Sequence, residues 1–142
     1  MKKVSFLVVV AMIVGVGLRL STAPVLAHHA FASEYDADKL VQLKGSITMM
    51  KWVNPHGWLY IDVTEKDGKP VDGGKAVPWA LEFGSPIRLL QSGWRKTDLP
   101  AGAVVSVEGY LAKNGTNTAN ANKVVLADGK ELFAGSSAGD KN

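Results

Sequence analysis

The chain is expected to fold as an all-β domain, a small OB-like five-stranded Greek-key barrel with one short helix between its third and fourth strands. A small β-sandwich is the alternative. Three observations predict this class. Apolar and polar residues alternate at period two in segment after segment, Gly, Asn and Asp punctuate those segments at short intervals, and a single stretch, Ser85 to Gly93, breaks the period.

The first 27 residues stand apart from this pattern. Lys2 and Lys3 precede an apolar run from Val4 to Leu18, and a polar stretch containing Arg19, Ser21, Thr22 and Pro24 ends in Val25-Leu26-Ala27. This is the order of a secretory signal, with small residues at the cleavage positions. The apolar run is shorter than the roughly 20 residues of a membrane span. Cleavage is expected after Ala27, because a cut after Ala23 leaves an obstructive Pro24 first; an uncleaved anchor is the alternative. The expected location is periplasmic or secreted, with residues 28–134 as one domain and 135–142 as a flexible tail.

Residues 28–39 are mixed and polar, an extended or short helical lead-in. From Leu40 the first strand begins, with Val41, Leu43, Ile47 and Met49 on one parity, and Gly45 within it marks a bulge or bend. Asn54-Pro55 ends it. The second strand spans about Gly57 to Glu65, with Leu59, Ile61 and Val63 inward. Asp67-Gly68 is a turn signal and a loose loop containing Gly73-Gly74 follows. The third strand covers about Val77 to Phe83, with Trp79, Leu81 and Phe83 on one side and Ala80 and Glu82 on the other. Ser85 is placed to cap a short helix that has Pro86 at its first position and stops near Ser92-Gly93. The fourth strand runs from Val104 to Leu111 and the fifth from Asn122 to Leu126, with a short extension at Glu131 to Phe133.

Composition excludes several classes of function. The 142-residue chain has 16 basic and 13 acidic residues. Lys2, Lys3 and Arg19 leave with the signal, so the processed chain is balanced at 13 of each and gives no electrostatic case for nucleic acid. With no cysteine, disulfides, thiol catalysis and thiolate metal sites are ruled out. The segment Glu34-x-Asp36-x-Asp38 has alternating carboxylates, but Lys39 and Gly45 stand where a calcium loop needs glycine and glutamate. No G-x-S-x-G elbow, P-loop or dinucleotide fingerprint occurs. Glu82 could serve as a general base, yet a lone outward glutamate is expected to be solvated.

The three histidines carry the strongest chemical signal. Cleavage after Ala27 makes His28 the first residue, and its α-amine and ring Nδ1 can hold one metal in a single chelate. His29 or His56 adds a third nitrogen, a donor set that suits Cu(II). The amine must be neutral to ligate, which its ordinary pKa of ~7.7–8.0 permits. His56 lies in Asn54-Pro55-His56-Gly57-Trp58, a turn that presents side chains. His56, Trp58, Tyr60 and Asp62 share the parity opposite Leu59, Ile61 and Val63. Met49 or Met50 could offer a soft thioether nearby. Trp58 and Tyr60, with Met50, make an aromatic face able to stack on a flat small molecule or glycan, or to meet another exported protein. Trp79 and Trp94 read as core.

The segments His28-His29-Ala30-Phe31, Trp52-Val53-Asn54-Pro55-His56, Glu82-Phe83-Gly84-Ser85-Pro86 and Gly93-Trp94 occur together. On them the chain resembles a family of small exported bacterial proteins known only as a domain of unknown function. That resemblance implies a signal-bearing single-domain β protein and brings no activity. A looser similarity to periplasmic OB-fold proteins rests on the strand pattern. The ligand logic alone is similar to copper carriers and histidine-brace oxygenases.

The sequence therefore favours an exported binding protein that holds copper through the mature amine, His28, His29 and His56. The alternative is a metal-free module binding a small molecule, glycan or partner protein through its aromatic face. A copper-dependent oxidase ranks last, so a non-enzymatic role is favoured, with membrane contact only through the uncleaved signal.

Overall fold

The period-two apolar residues do form strands, and their inward faces make one core. The structure is a computed structural model describing residues 31–135; the expected signal segment (1–27), His28, His29 and all but the first residue of the expected tail (135–142) lie outside the described residues. A helical turn at residues 31–34 leads into β1 (Tyr35–Lys51). Then follow β2 (Trp58–Lys66), β3 (Lys69–Pro70), a 3-10 turn (Asp72–Gly74), β4 (Val77–Glu82), α1 (Pro86–Gln91), β5 (Val104–Ala112), β6 (Thr118–Val125) and β7 (Glu131–Phe133). Among the described residues no helix is long and apolar enough to cross a membrane.

Pairing runs around a circuit. β1 pairs with β2 and with β5, β5 with β6, β2 with β4, and β4 with β6, so five strands close on themselves while β3 and β7 add to the edges. Every contact of the circuit is antiparallel except β4–β6, a parallel ladder of three residue pairs. The fold is all-β and barrel-like, with α1 between the third and fourth strands of the circuit, as the sequence predicts. Its core holds Leu43, Ile47, Leu59, Ile61, Val63, Leu81, Phe83, Val105 and Val107 with Ala119, Ala121 and Val124, all fully or nearly buried. Each large aliphatic among them is worth roughly 1.5–3 kcal/mol of burial.

Two features of β1 bend it around this core. At Gly45 the register skips Thr64 on β2, and the backbones approach so closely that a Cβ at Gly45 would lie 2.3 Å from the Asp62 carbonyl oxygen. Only glycine fits such an approach. At Thr48 β1 itself carries the extra residue, and the Thr48 hydroxyl donates to the Tyr60 carbonyl at 3.1 Å. That bulge inverts the side-chain parity expected from the sequence. Met49, assigned inward, is 44% exposed, while Met50 turns under the Asn54–Gly57 turn, packing against the core and next to Gly57.

Other boundaries also move. β1 begins at Tyr35 rather than near Leu40, and β6 begins at Thr118 rather than Asn122. Both early ends are polar or small and take strand geometry from ladder partners, Ala112 for Tyr35 and the end of β4 for residues 118–120. The loop after Asp67-Gly68 contains β3 and the 3-10 turn instead of loose chain. Ser85 occupies the N-cap of α1 but its hydroxyl makes no capping bond. The helix ends as expected at Gly93 (φ 98°), with the Trp94 N–H donating back to the Leu89 carbonyl at 3.1 Å.

Candidate functional site

The short parallel ladder positions the site. Glu82, the last residue of β4, is the register partner of Asn120 on β6 and of Trp58 on β2. Its neighbours Leu81 and Phe83 fill the core, as Ala119 and Ala121 do beside Asn120. Alternation therefore sends both polar side chains to the outer face of the barrel. The residues that open the described chain cover them there. Glu82 is only 6% exposed and Asn120 7%, which corrects the expectation of a solvated glutamate: the helical turn and Tyr35 roof over that face.

Three donors converge on the buried carboxylate. His56 Nδ1 contacts Oε1, Asn120 Nδ2 donates to Oε2 at 3.4 Å, and Tyr35 lines the same cavity with its phenol within interaction range of the carboxylate. Burial, and then Glu82 and Glu34, push the Tyr35 phenol well above its ordinary value of 10.0, so its hydroxyl stays a donor. The Asn120 Oδ1 atom is buried without a hydrogen-bond partner. An imidazole whose Nδ1 faces a carboxylate carries its proton there, leaving Nε2 as the free lone pair. The His56 side chain is half exposed, so the ring is fixed on one edge and open on the other.

The ring lines a cavity of about 390 Å³. Phe31, Tyr35, His56, Glu82, Arg88 and Asn120 are among its lining residues, and so is Gly135. The first and last described residues thus meet at one place. Gly84 and Gly135 cross backbone to backbone, where a Cβ on Gly135 would lie 2.8 Å from the Gly84 Cα, and the Gly84 N–H donates to the Ala134 carbonyl at 2.8 Å. The positive φ of Gly135 (83°) belongs to the same crossing.

The expected site residues within the described chain separate into four places. His56 lies in this cavity. Trp58, half-buried, lines a second cavity of about 540 Å³ with Glu34, Tyr35, Lys113, Asn114 and Thr118. Tyr60 lines neither cavity and lies under the Lys51 ammonium, 5.3 Å from the ring centroid. Met50 lines neither cavity and packs inward. The single aromatic face expected from parity is therefore divided. Trp79 and Trp94 are core residues as expected, the Trp94 indole donating to the Phe133 carbonyl at 2.8 Å. Sequence reasoning missed Tyr35 and Asn120. For Asn120 a signal existed in the alternation Ala119-Asn120-Ala121-Asn122, which is period two despite its loop-like composition.

Among the described residues no group of three His, Cys, Asp or Glu side chains is placed to hold a metal ion.

The profile of a family described only as a family of unknown function (DUF6152) matches residues 17–121. The chain belongs to that family. The DUF6152 match spans His28, His29, His56, Glu82 and Asn120 and ends within β6. No curated protein and no solved structure matches the chain.

Proposed function

We propose that this member of DUF6152 is an exported copper-binding protein for storage, delivery or sensing. Its mature amine, His28 and His29 join Nε2 of His56 at the cavity beside α1. One observation carries the reading: a buried carboxylate, Glu82, holds Nδ1 of His56 and leaves Nε2 uncommitted, on a half-exposed ring that lines a cavity together with Phe31. Ligating histidines characteristically give their second ring nitrogen to a carboxylate in this way, which orients the ring and raises its basicity. Phe31 is three residues beyond His28, so the intervening chain spans at most roughly 10 Å. Nitrogen donors of this kind favour Cu(II). In the precursor the nitrogen of His28 is an amide, so full ligation begins only after cleavage.

The test is intact-mass analysis of the exported protein followed by copper titration of wild type and His56→Ala. A mature start at His28, one copper per chain and a loss of at least about tenfold in affinity for His56→Ala are expected. A different start removes the amine ligand, and equal affinity of the two proteins reduces the site to a generic peptide chelate.

A second reading has its own observation, the separate Trp58 cavity bordered by Glu34, Asn114 and Thr118. There the indole face and polar rim suit a sugar or other flat ligand. In that case Trp58→Ala strips whatever small molecule co-purifies and leaves copper binding alone.

A further inference from the structure

We propose that residues 31–35 form a positioning device for His56: docking them against β5 brings the Tyr35 hydroxyl onto Glu82, and Glu82 then fixes His56 as the Nδ1–H tautomer with Nε2 facing the cavity. The inference extends the copper reading to the assembly of its site.

The segment is held by its own contacts rather than by the continuous ladder. β1 pairs with β5 from Leu40 onward, and the register is broken between Leu40 and Tyr35, where residues 37–40 are exposed. Tyr35 re-enters the ladder alone, opposite Ala112. Phe31, 8% exposed, packs its ring against Tyr35 at 5.7 Å and edge-on against Tyr110 at 5.5 Å. Lys113 clamps the same turn twice, its ammonium donating to the Ala32 carbonyl at 2.6 Å and its backbone N–H to the Glu34 carbonyl at 2.9 Å. A separate aromatic and hydrogen-bonded dock of this kind can open without unpairing the barrel.

Opening it changes the acceptor that His56 meets. With Tyr35 in place, the carboxylate meets the Asn120 amide at Oε2 and His56 at Oε1, with the phenol beside them. Without the Tyr35 hydroxyl the carboxylate loses one of the groups that hold it and gains freedom to turn from the ring; with the segment undocked the roof over Glu82 is lost as well and water reaches it. The imidazole is then no longer confined to one tautomer. The segment that follows His28 and His29 therefore also sets the nitrogen that His56 supplies. Docking and ligand selection are one event.

The experiment is long-range ¹⁵N NMR of the imidazole of His56 in the metal-free processed chain, on wild type, Tyr35→Phe and Phe31→Ala. Phe31→Leu guards against an unfolded alanine variant, and the amide spectrum reports the fold. Wild type is expected as a single Nδ1–H tautomer, with mixed tautomers in Tyr35→Phe and in a folded Phe31 variant. Copper affinity should fall by roughly 10–100-fold in the same variants, the usual cost of losing an outer-shell partner. An Nε2–H tautomer in wild type overturns the proposal, as does an unchanged tautomer in the folded variants. A tautomer shift with no copper binding by wild type leaves the positioning role intact and removes the copper reading.

Discussion

Replacing Glu82 by glutamine keeps the volume and deletes the charge, so it isolates what the carboxylate does for the fold. The amide can keep one acceptor oxygen toward Tyr35 and Asn120 by turning its NH₂ toward His56, whose ring is half exposed and can answer by moving its proton. The bond from buried Tyr35 then changes from charge-assisted to neutral, a loss of about 1 kcal/mol, and the 3.4 Å contact from Asn120 loses less. The His56 contact adds little, because solvent screens it. The expected destabilisation is about 1–2 kcal/mol, roughly 5–12 °C in melting temperature for a domain of this size. Glu82→Leu should cost about 3–5 kcal/mol, since Tyr35 and Asn120 then have no acceptor at all. Urea denaturation of wild type, Glu82→Gln, Tyr35→Phe and the double variant measures the coupling, expected near 1 kcal/mol. Additive single effects, or a Glu82→Leu protein as stable as wild type, would refute the convergence of donors on this carboxylate.

Two further outcomes follow from other observations. The raised phenol of Tyr35 contributes stability that is full below its ordinary value of 10.0 and is lost as pH rises above it. The slope should approach ~1.4 kcal/mol per pH unit and vanish in Tyr35→Phe. Ultraviolet titration checks it: of the three tyrosines, one should ionise only on unfolding, and reversible ionisation of all three near pH 10 in the folded chain contradicts the burial. Gly45→Ala drives a methyl to 2.3 Å from the Asp62 carbonyl and 2.8 Å from the Val63 Cα, both backbone atoms that cannot swing away. A loss of about 3 kcal/mol or failure to refold is expected, and wild-type stability on denaturation contradicts the register there.

The all-β, barrel-like fold was legible in the sequence because its core strands obey one rule. Leu59, Ile61 and Val63, or Trp79, Leu81 and Phe83, keep period two over long enough stretches to name both strand and face. The bulge at Thr48 was not legible, since a one-residue insertion leaves no mark in composition while it inverts every later side chain; Met49 and Met50 changed places for that reason. Tyr35 escaped because an isolated ladder partner, Ala112, rather than a periodic run makes it a strand residue. His56 was readable from its Asn-Pro-His-Gly turn. The role of Glu82 was not, because its burial comes from a roof supplied 47 positions earlier in the chain, by Tyr35. Local alternation says which way a side chain leaves a sheet, and a distant segment decides whether water waits there.

The meeting of Phe31 and Gly135 at one cavity bears on how the protein should be handled. An affinity tag joined directly before residue 31 or after residue 135 is a tag on the cavity. On the proposed copper reading, an extension before His28 makes its nitrogen an amide, and a polyhistidine tail after Asn142 begins eight residues from Gly135, within a reach of roughly 25–30 Å. Such a tail carries imidazoles enough to bind copper by itself and to report a false site. Measurements on this chain call for a tag placed in the turn at Asp67-Gly68, or for removal without residual histidines. The same proximity makes a circular permutant joining 135 to 31 a direct probe, one that keeps the barrel and removes the free end.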